Sequence, residues 1–257
     1  LSVLGLWLLA LTPNADIGER WGPRGFPALF AVAFSTVGAL IASRRPRNVI
    51  GWLFCWIGLG SGILVFTEEY GIYAVLVHPD ALPAVVLLAW IPNWIFVPVT
   101  APIMTFLLLL FPTGSLPSPR WRPVAWLSGL VLAVITLATA FGSGVMLNAA
   151  YVANPFPLFS ASVALFLFGV GQAALLVSVV LSAASLIQRW RQARGEERQQ
   201  LKWLAYAAIV MVPSAAAGFY NTQWGPPALI TATILIPIAA GIAVLRYRLW
   251  DVDFVIN

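Results

Sequence analysis

The stretch FSASVALFLFGVGQAALLVSVVLSAASLI, residues 159–187, decides the fold because it contains 29 consecutive residues without a charged side chain. A helix needs about 20 apolar residues to cross the hydrocarbon core of a bilayer. Apolar residues occupy every side of this helix rather than one stripe, which is the pattern of a helix surrounded by lipid. The stretch therefore predicts a transmembrane helix, and a strongly charged segment, 188–202, follows it directly.

The composition of the whole chain extends this interpretation. Of the 257 residues, 61% are hydrophobic and 9% are charged, whereas an average soluble domain carries about 25% charged residues. The loops are too short for a soluble kinase, nuclease or dinucleotide-binding domain. Cys55 and His78 are the only residues of their types, which excludes a disulfide, a cysteine-type metal cluster and a multi-histidine site. We expect no metal and no cofactor.

Apolar segments recur along the whole chain and predict an all-α fold, a polytopic transmembrane helical bundle of about eight spans. We interpret residues 1–257 as a single integral membrane domain and as a fragment whose first span is cut short. The predicted spans lie near residues 1–11, 26–43, 49–77, 82–111, 124–141, 159–187, 203–219 and 228–245.

Basic residues fall almost entirely on one side of this topology. Twelve of the 14 lysines and arginines occur in every second loop, so that side has a net charge of about +8 and the other about −3. The positive-inside rule predicts that the basic side is cytoplasmic and that both ends of the chain face it. Because the basic clusters are short and lie between apolar segments, they indicate membrane topology and no nucleic-acid partner.

Two adjacent carboxylates, Glu68 and Glu69, interrupt the third segment near its predicted outer end. Either both lie at the headgroup level, where a carboxylate costs little, or one of them faces the bundle. Gly58, Gly62 and Glu69 are spaced by four and seven residues, which places them on one helix face. Glu69 would then point inward, where it could bind a proton, a cation or a polar ligand. The candidate ligand-binding residues are Glu69, Tyr73, Asn93 and Trp94.

Prolines and small residues mark two other segments. Pro92, Pro98 and Pro102 each remove a backbone hydrogen bond, and the resulting kinks either fit the helix to its neighbours or free carbonyls that line a cavity. Small residues at heptad spacing within 159–187 favour close helix packing over a permeation path. The predicted helix-packing residues are Gly58, Gly62, Gly171 and Ser178. Tryptophans near the segment ends form an aromatic belt or stack on a ligand.

The segment 188–202 has the pattern of a charged helical hairpin. Gly195 is a favourable helix end, and Glu196 and Glu197 follow at the start of the next helix, where the helix dipole favours anions. The basic residues of this segment either meet anionic lipid or contact a cytoplasmic partner domain. Membrane lipids are therefore expected partners.

Four stretches at the basic side make the sequence recognisable: RRPRNVIGWL at 44–53, FPTGSLPSPRWR at 111–122, RGEERQQLKW at 194–203 and LRYRLWDVD at 245–253. In this order they resemble the N-terminal multi-span membrane (sensor) region of a group of bacterial sensor histidine kinases common in actinobacteria and Chloroflexi. The resemblance covers nearly the whole chain. It implies a role and assigns no binding residue.

That resemblance implies a membrane-embedded sensor or signal-transducer module of a two-component system in the bacterial inner (cytoplasmic) membrane. The module would be non-catalytic, and its last span would pass the signal to a cytoplasmic signalling domain downstream through Arg246, Arg248, Asp251 and Asp253. A structural or accessory subunit of a larger membrane complex is the alternative, and a homodimer or such a complex is an expected assembly. A small-solute transporter is less favoured, because the chain lacks internal repeats and paired intramembrane charges.

Overall fold

A computed structural model describes residues 1–13, 24–77, 85–146, 149–220 and 225–246. These residues are predominantly helical, and their one departure from the predicted all-α fold is a short antiparallel hairpin of β1 and β2. The elements are α1 (Ser2–Leu11), α2 (Pro27–Arg44), α3 (Val49–Val77), α4 (Val85–Met104), α5 (Phe106–Leu110), a 3₁₀ turn (Pro119–Trp121), α6 (Arg122–Phe141), β1 (Val145–Met146), β2 (Ala149–Ala153), α7 (Ala161–Gln192), α8 (Gly195–Tyr220) and α9 (Gly225–Arg246).

Six helical segments of the described chain are long and apolar enough to cross a membrane. α1 is apolar but shorter, and α8, whose first eight residues include four charged ones, is not among the six. Membrane insertion of the bundle is therefore supported, whereas the count of eight spans stays a prediction. The six segments are 27–44, 49–74, 85–110, 119–141, 161–192 and 227–245.

The α2–α3 pair forms the centre of the core and packs backbone against backbone. A Cβ atom built on Gly38 would lie 2.6 Å from the Cys55 nitrogen, and one on Gly58 would lie 2.6 Å from the Ser35 nitrogen. Such distances exclude any side chain larger than hydrogen, so glycine permits the close approach of the two helices. Gly62, by contrast, faces α1, and a Cβ built on it would lie 3.4 Å from the Ser2 hydroxyl oxygen, which is an ordinary contact.

The prolines of α4 each remove a backbone hydrogen bond of the helix, and the structure shows a new donor for one of the freed carbonyls. Pro102 has no N–H to donate to the carbonyl oxygen of Pro98, four residues earlier. Trp56 on α3 supplies the missing donor, since its indole Nε1 lies 2.9 Å from that oxygen. The helix is interrupted at Thr105, and α5 continues from there. At Pro98, the freed carbonyl serves helix packing.

The remaining helices attach to this core in two groups. α6 packs on α4 and α7, and Gly171 of α7 lets Ile135 of α6 approach closely. α8 packs mainly on α9, and α9 packs on α2, where a Cβ on Gly241 would lie 2.8 Å from Val37 Cγ1. The α8–α9 pair is thus joined to the core chiefly through α2.

Candidate functional site

A buried ion pair joins α3 to the chain before α2. Arg24 donates through Nη2 to Oε2 of Glu69, and the Glu69 side chain has 0% of its surface exposed, against 15% for Arg24. The same guanidinium donates to the backbone oxygen of Thr12 and, over 3.0 Å, to the Thr12 hydroxyl. The Thr12 hydroxyl in turn donates to the carbonyl of Leu8 at 3.2 Å. We call Thr12, Arg24 and Glu69 the Arg24–Glu69 site.

Local backbone features bring these three residues together. Gly5 has no side chain between α1 and α3, and a Cβ there would lie 3.1 Å from the backbone of Val65, one turn before Glu69. α1 therefore ends beside Glu69, where Thr12 follows its last residue. Gly25 adopts φ +76, a left-handed conformation that glycine tolerates, and turns the chain from Arg24 into α2.

The Arg24–Glu69 site leaves two buried polar atoms without a hydrogen-bond partner among the described residues: Oε1 of Glu69 and Nε of Arg24. Burial of a charge pair costs desolvation free energy that only full hydrogen bonding offsets. An incompletely satisfied pair is therefore easier to separate than a fully bonded one. Helical spacing predicts Glu69 on the buried face of α3, and the structure places it there, while Glu68 is half-buried.

The structure places the other candidate ligand residues at a different interface. Asn93 donates to the carbonyl of Thr139, and Trp90 donates to the carbonyl of Ala140 at 2.7 Å. Both carbonyls belong to the last turn of α6, where a helix lacks its own donors. Asn154 also donates to Ala140, at 2.8 Å. Asn93 therefore caps α6, on a side of the bundle separate from the Arg24–Glu69 site.

Trp94 and Tyr73 complete the predicted set. The Trp94 ring packs against the hydrophobic core and lies 5.4 Å from the Trp90 ring, centroid to centroid. Its buried Nε1 has no hydrogen-bond partner among the described residues. Tyr73 is half-buried on α3, one turn beyond Glu69. The four residues thus share one end of the bundle, but Glu69 is bonded to Arg24 before α2, whereas Asn93 is bonded to Thr139 of α6.

A second polar cluster lies at the other end of α3 and centres on Arg189 of α7. Its side chain is 7% exposed and donates to the carbonyl of Phe111 and to the carbonyl of Ser115, the latter at 2.7 Å. Its Nε lies 3.8 Å from a carboxylate oxygen of Glu197 on α8. One guanidinium therefore ties the α5–α6 loop to α7 and α8.

Asn48 connects α3 to the same loop. Its Nδ2 donates to the carbonyl of Pro112 at 3.2 Å, while its Oδ1 accepts from the Ile50 N–H at 3.0 Å and so caps the start of α3. Gly114, with φ +77, passes so close that a Cβ there would lie 2.6 Å from Asn48 Oδ1. We call Asn48, residues 110–115, Arg189 and Glu197 the Arg189 cluster. The end of the bundle that holds this cluster is called the basic end.

The Arg189 cluster unites three of the four stretches that carry the family resemblance, namely 44–53, 111–122 and 194–203. Sequence reasoning had assigned Arg189 to the charged link and missed its burial. The sequence contains a pattern that indicates this burial, because helical spacing places Ser178, Ser182, Ser185 and Arg189 on one face of α7. All four residues are buried in the structure. An arginine that continues a stripe of small residues is expected to face the same neighbouring helices.

The predicted coupling residues lie mostly beyond what the structure describes. Arg246 is the last residue of α9, and Arg248, Asp251 and Asp253 fall outside the described residues. Within the described ranges, no group of three or more histidine, cysteine, aspartate or glutamate side chains is arranged to hold a metal ion.

Comparison with known proteins adds no family to this geometry. No protein-family model matches the chain, and neither a curated protein nor a solved structure is significantly similar to it. The resemblance to the membrane region of sensor histidine kinases thus rests on the four stretches at the basic side.

Proposed function

We propose that this protein is a membrane-embedded signal-transducer module, the input region of a sensor of the histidine kinase type, without catalysis in these residues. The observation that carries the proposal is the position of α3. One uninterrupted helix, α3, begins directly after Asn48 of the Arg189 cluster and contains Glu69 of the Arg24–Glu69 site. At 1.5 Å per residue these 21 steps span about 30 Å, the thickness of the hydrocarbon core.

A stimulus acts in this scheme by separating or reinforcing the Arg24–Glu69 pair. A stimulus shifts a conformational equilibrium only by the difference in its affinity for the two states. The pair supplies such a difference. Oε1 of Glu69 and Nε of Arg24 have no hydrogen-bond partner among the described residues, so a polar ligand that binds them acts directly on the contact between α3 and the chain before α2.

The path from α3 to α9 runs through α2. Backbone contacts at Gly38 and Gly58 make α2 and α3 one unit, so displacement of α3 carries α2 with it. Val37 on α2 meets Gly241 on α9, and α9 ends at Arg246. The signal would therefore leave the membrane at the basic end of α9, where the predicted coupling residues begin.

Electron spin resonance tests this proposal on purified protein in lipid nanodiscs. Spin labels at Ser118→Cys and Leu245→Cys, in a Cys55→Ser background, report the distance between the α5–α6 loop and the end of α9. We expect Glu69→Gln to shift the distance distribution or to add a second population. Glu68→Gln is the matched control and should leave the distribution unchanged. Identical distributions in the parent and in Glu69→Gln would contradict signal transfer along this path.

The exposed surface of α7 favours a second candidate, an accessory subunit of a larger membrane complex. Only 11% of the residues in the apolar stretch of α7 are buried inside the chain. Leu165, Phe166 and Leu176 are among its most exposed side chains. A photo-crosslinker at Leu176 should then capture one distinct membrane protein in stoichiometric yield. Such a product, together with an unchanged spin-label distance in Glu69→Gln, would support the subunit over the transducer.

A further inference from the structure

An elongated apolar crevice separates α8 from α7 and from the α4–α5 region. Its volume is about 180 Å³, and all its lining residues are apolar. The α8 wall runs from Leu201 to Met211, and the α7 wall runs from Val179 to Trp190. Met104 lines the crevice and is also 46% exposed, so the crevice opens to the surface of the bundle that faces lipid.

The walls of the crevice are too apolar to hold ordered water. An engineered apolar cavity of about 150 Å³ in another protein stays dry and takes up benzene, because water needs polar partners that such walls lack. A void of this size also deprives its walls of dispersion contacts. The stable occupant is therefore an apolar group that enters from the surrounding bilayer.

The dimensions of the crevice match one lipid chain. The eleven residues of α8 from Leu201 to Met211 rise about 15 Å over ten steps, and the α7 wall is of similar length. This is half of the roughly 30 Å hydrocarbon core, the depth that the acyl chain of one leaflet occupies. Both walls start at the basic end, so a chain in the crevice would have its headgroup there.

The charge around that end identifies the headgroup. Arg194 lies four residues beyond Trp190 of the α7 wall, and Arg198 lies three residues before Leu201 of the α8 wall; both arginines are exposed. Glu197, which lies nearby, faces Arg189 at 3.8 Å. Exposed arginines at the membrane surface attract phosphate groups of anionic lipids. We propose that the crevice binds an acyl chain of an anionic phospholipid, with its phosphate at Arg194 and Arg198.

Native mass spectrometry of delipidated protein tests the site with equimolar phosphatidylglycerol and phosphatidylcholine. We expect the parent protein to retain one phosphatidylglycerol per chain in preference to phosphatidylcholine. Ala208→Phe fills the crevice and should lower the bound fraction at least tenfold. Ala184→Phe, the same change at an exposed position on α7, is the control and should bind as the parent does.

The headgroup is tested by charge removal. Arg194→Gln/Arg198→Gln should abolish the preference for phosphatidylglycerol, whereas Arg120→Gln/Arg122→Gln, which removes two exposed charges from another loop, should keep it.

If Ala208→Phe unfolds on size exclusion, Ala205→Leu carries the same expectation. Equal retention in the crevice and control variants, equal binding of both lipids by the parent, or preferential retention of palmitate in a competition arm would overturn the proposal. None of these readouts depends on signalling, so they test the lipid site separately from the transducer function.

Discussion

Glu69 on α3 and Arg24 before α2 form an ion pair whose carboxylate is completely enclosed, although the two residues are 45 positions apart in the sequence. The pair fixes the chain that enters α2 against α3, and Thr12 adds the end of α1 to the same guanidinium. Three chain segments thus depend on one arginine at the end of the bundle opposite the basic end. The predictions below begin with this pair.

Glu69→Gln should destabilise the protein by about 3 kcal/mol, because removal of one partner leaves a mostly buried guanidinium without a counter-charge. The low end of the range for buried pairs applies, since Arg24 retains some contact with solvent. Thermal unfolding of the purified protein in detergent measures the effect. Glu68→Gln, at a half-buried position on the same helix turn, is the control. A larger loss in Glu68→Gln would show that the pair is not the stabilising contact.

The double variant Arg24→Met/Glu69→Met should recover most of the stability lost in Glu69→Gln. Apolar side chains of similar volume need no compensation for buried charge, so replacement of both partners is often neutral or stabilising. The comparison uses the same unfolding assay. If the double variant is no more stable than Glu69→Gln, the loss arises from the shape of the Glu69 side chain rather than from uncompensated charge.

Arg189→Ala should cost about 3 kcal/mol, because the carbonyls of Phe111 and Ser115 lose a charged donor in a buried setting. Arg189→Lys should recover only part of this, since an ammonium group cannot reproduce the fork of a guanidinium. Arg191→Ala, at an exposed position two residues away, should stay within about 0.5 kcal/mol of the parent. Faster proteolytic cleavage within residues 111–121 of Arg189→Ala would show that the stability is lost at this loop. If Arg189→Ala resists proteolysis as the parent does, the Arg189 cluster does not stabilise the loop.

Gly58→Ala should destabilise by about 1–3 kcal/mol, because the added methyl group meets the α2 backbone at Ser35 and the helices must separate. Gly169→Ala provides a matched helical glycine with nothing within 4 Å of the added Cβ. It should leave stability unchanged or raise it by up to about 1 kcal/mol through higher helix propensity. The measurement compares the thermal unfolding midpoints of Gly58→Ala and Gly169→Ala. Equal midpoints would exclude close packing of the helices at Gly58.

Single cysteines test the orientation that the loop charges predict. In a Cys55→Ser background, cysteines at Ser118 and Gln192 should be protected from an impermeant thiol reagent in intact cells, because both lie at the basic end. A cysteine at Asn221, which falls outside the described residues, should react. Disruption of the cells should expose the first two sites. Labelling of Ser118→Cys in sealed cells would reverse the orientation.

The helices could be predicted from the sequence because their signal is local. Each predicted apolar segment overlaps a helix or the α4–α5 pair, and α3 has the predicted bounds, 49–77. The largest difference is at α8, which begins at Gly195 rather than near residue 203. The inward direction of Glu69 was also predictable, since helical spacing relates it to Gly58 and Gly62 within one segment. Likewise, loop charges in every second loop predicted which loops share one end, and the Arg189 cluster brings three of them into contact.

Partners distant in sequence required the tertiary structure. The sequence left Glu69 open to a proton, a cation or a ligand, and packing of α1 and α2 against α3 gave it Arg24. Asn93 had the chemistry of a ligand residue, yet its position beside α6 made it a cap for Thr139. Hydropathy and periodicity act along one helix, so they determine where helices form and which face is buried. The pairing of side chains across an interface depends on how all the helices pack together, so only the assembled bundle determined it.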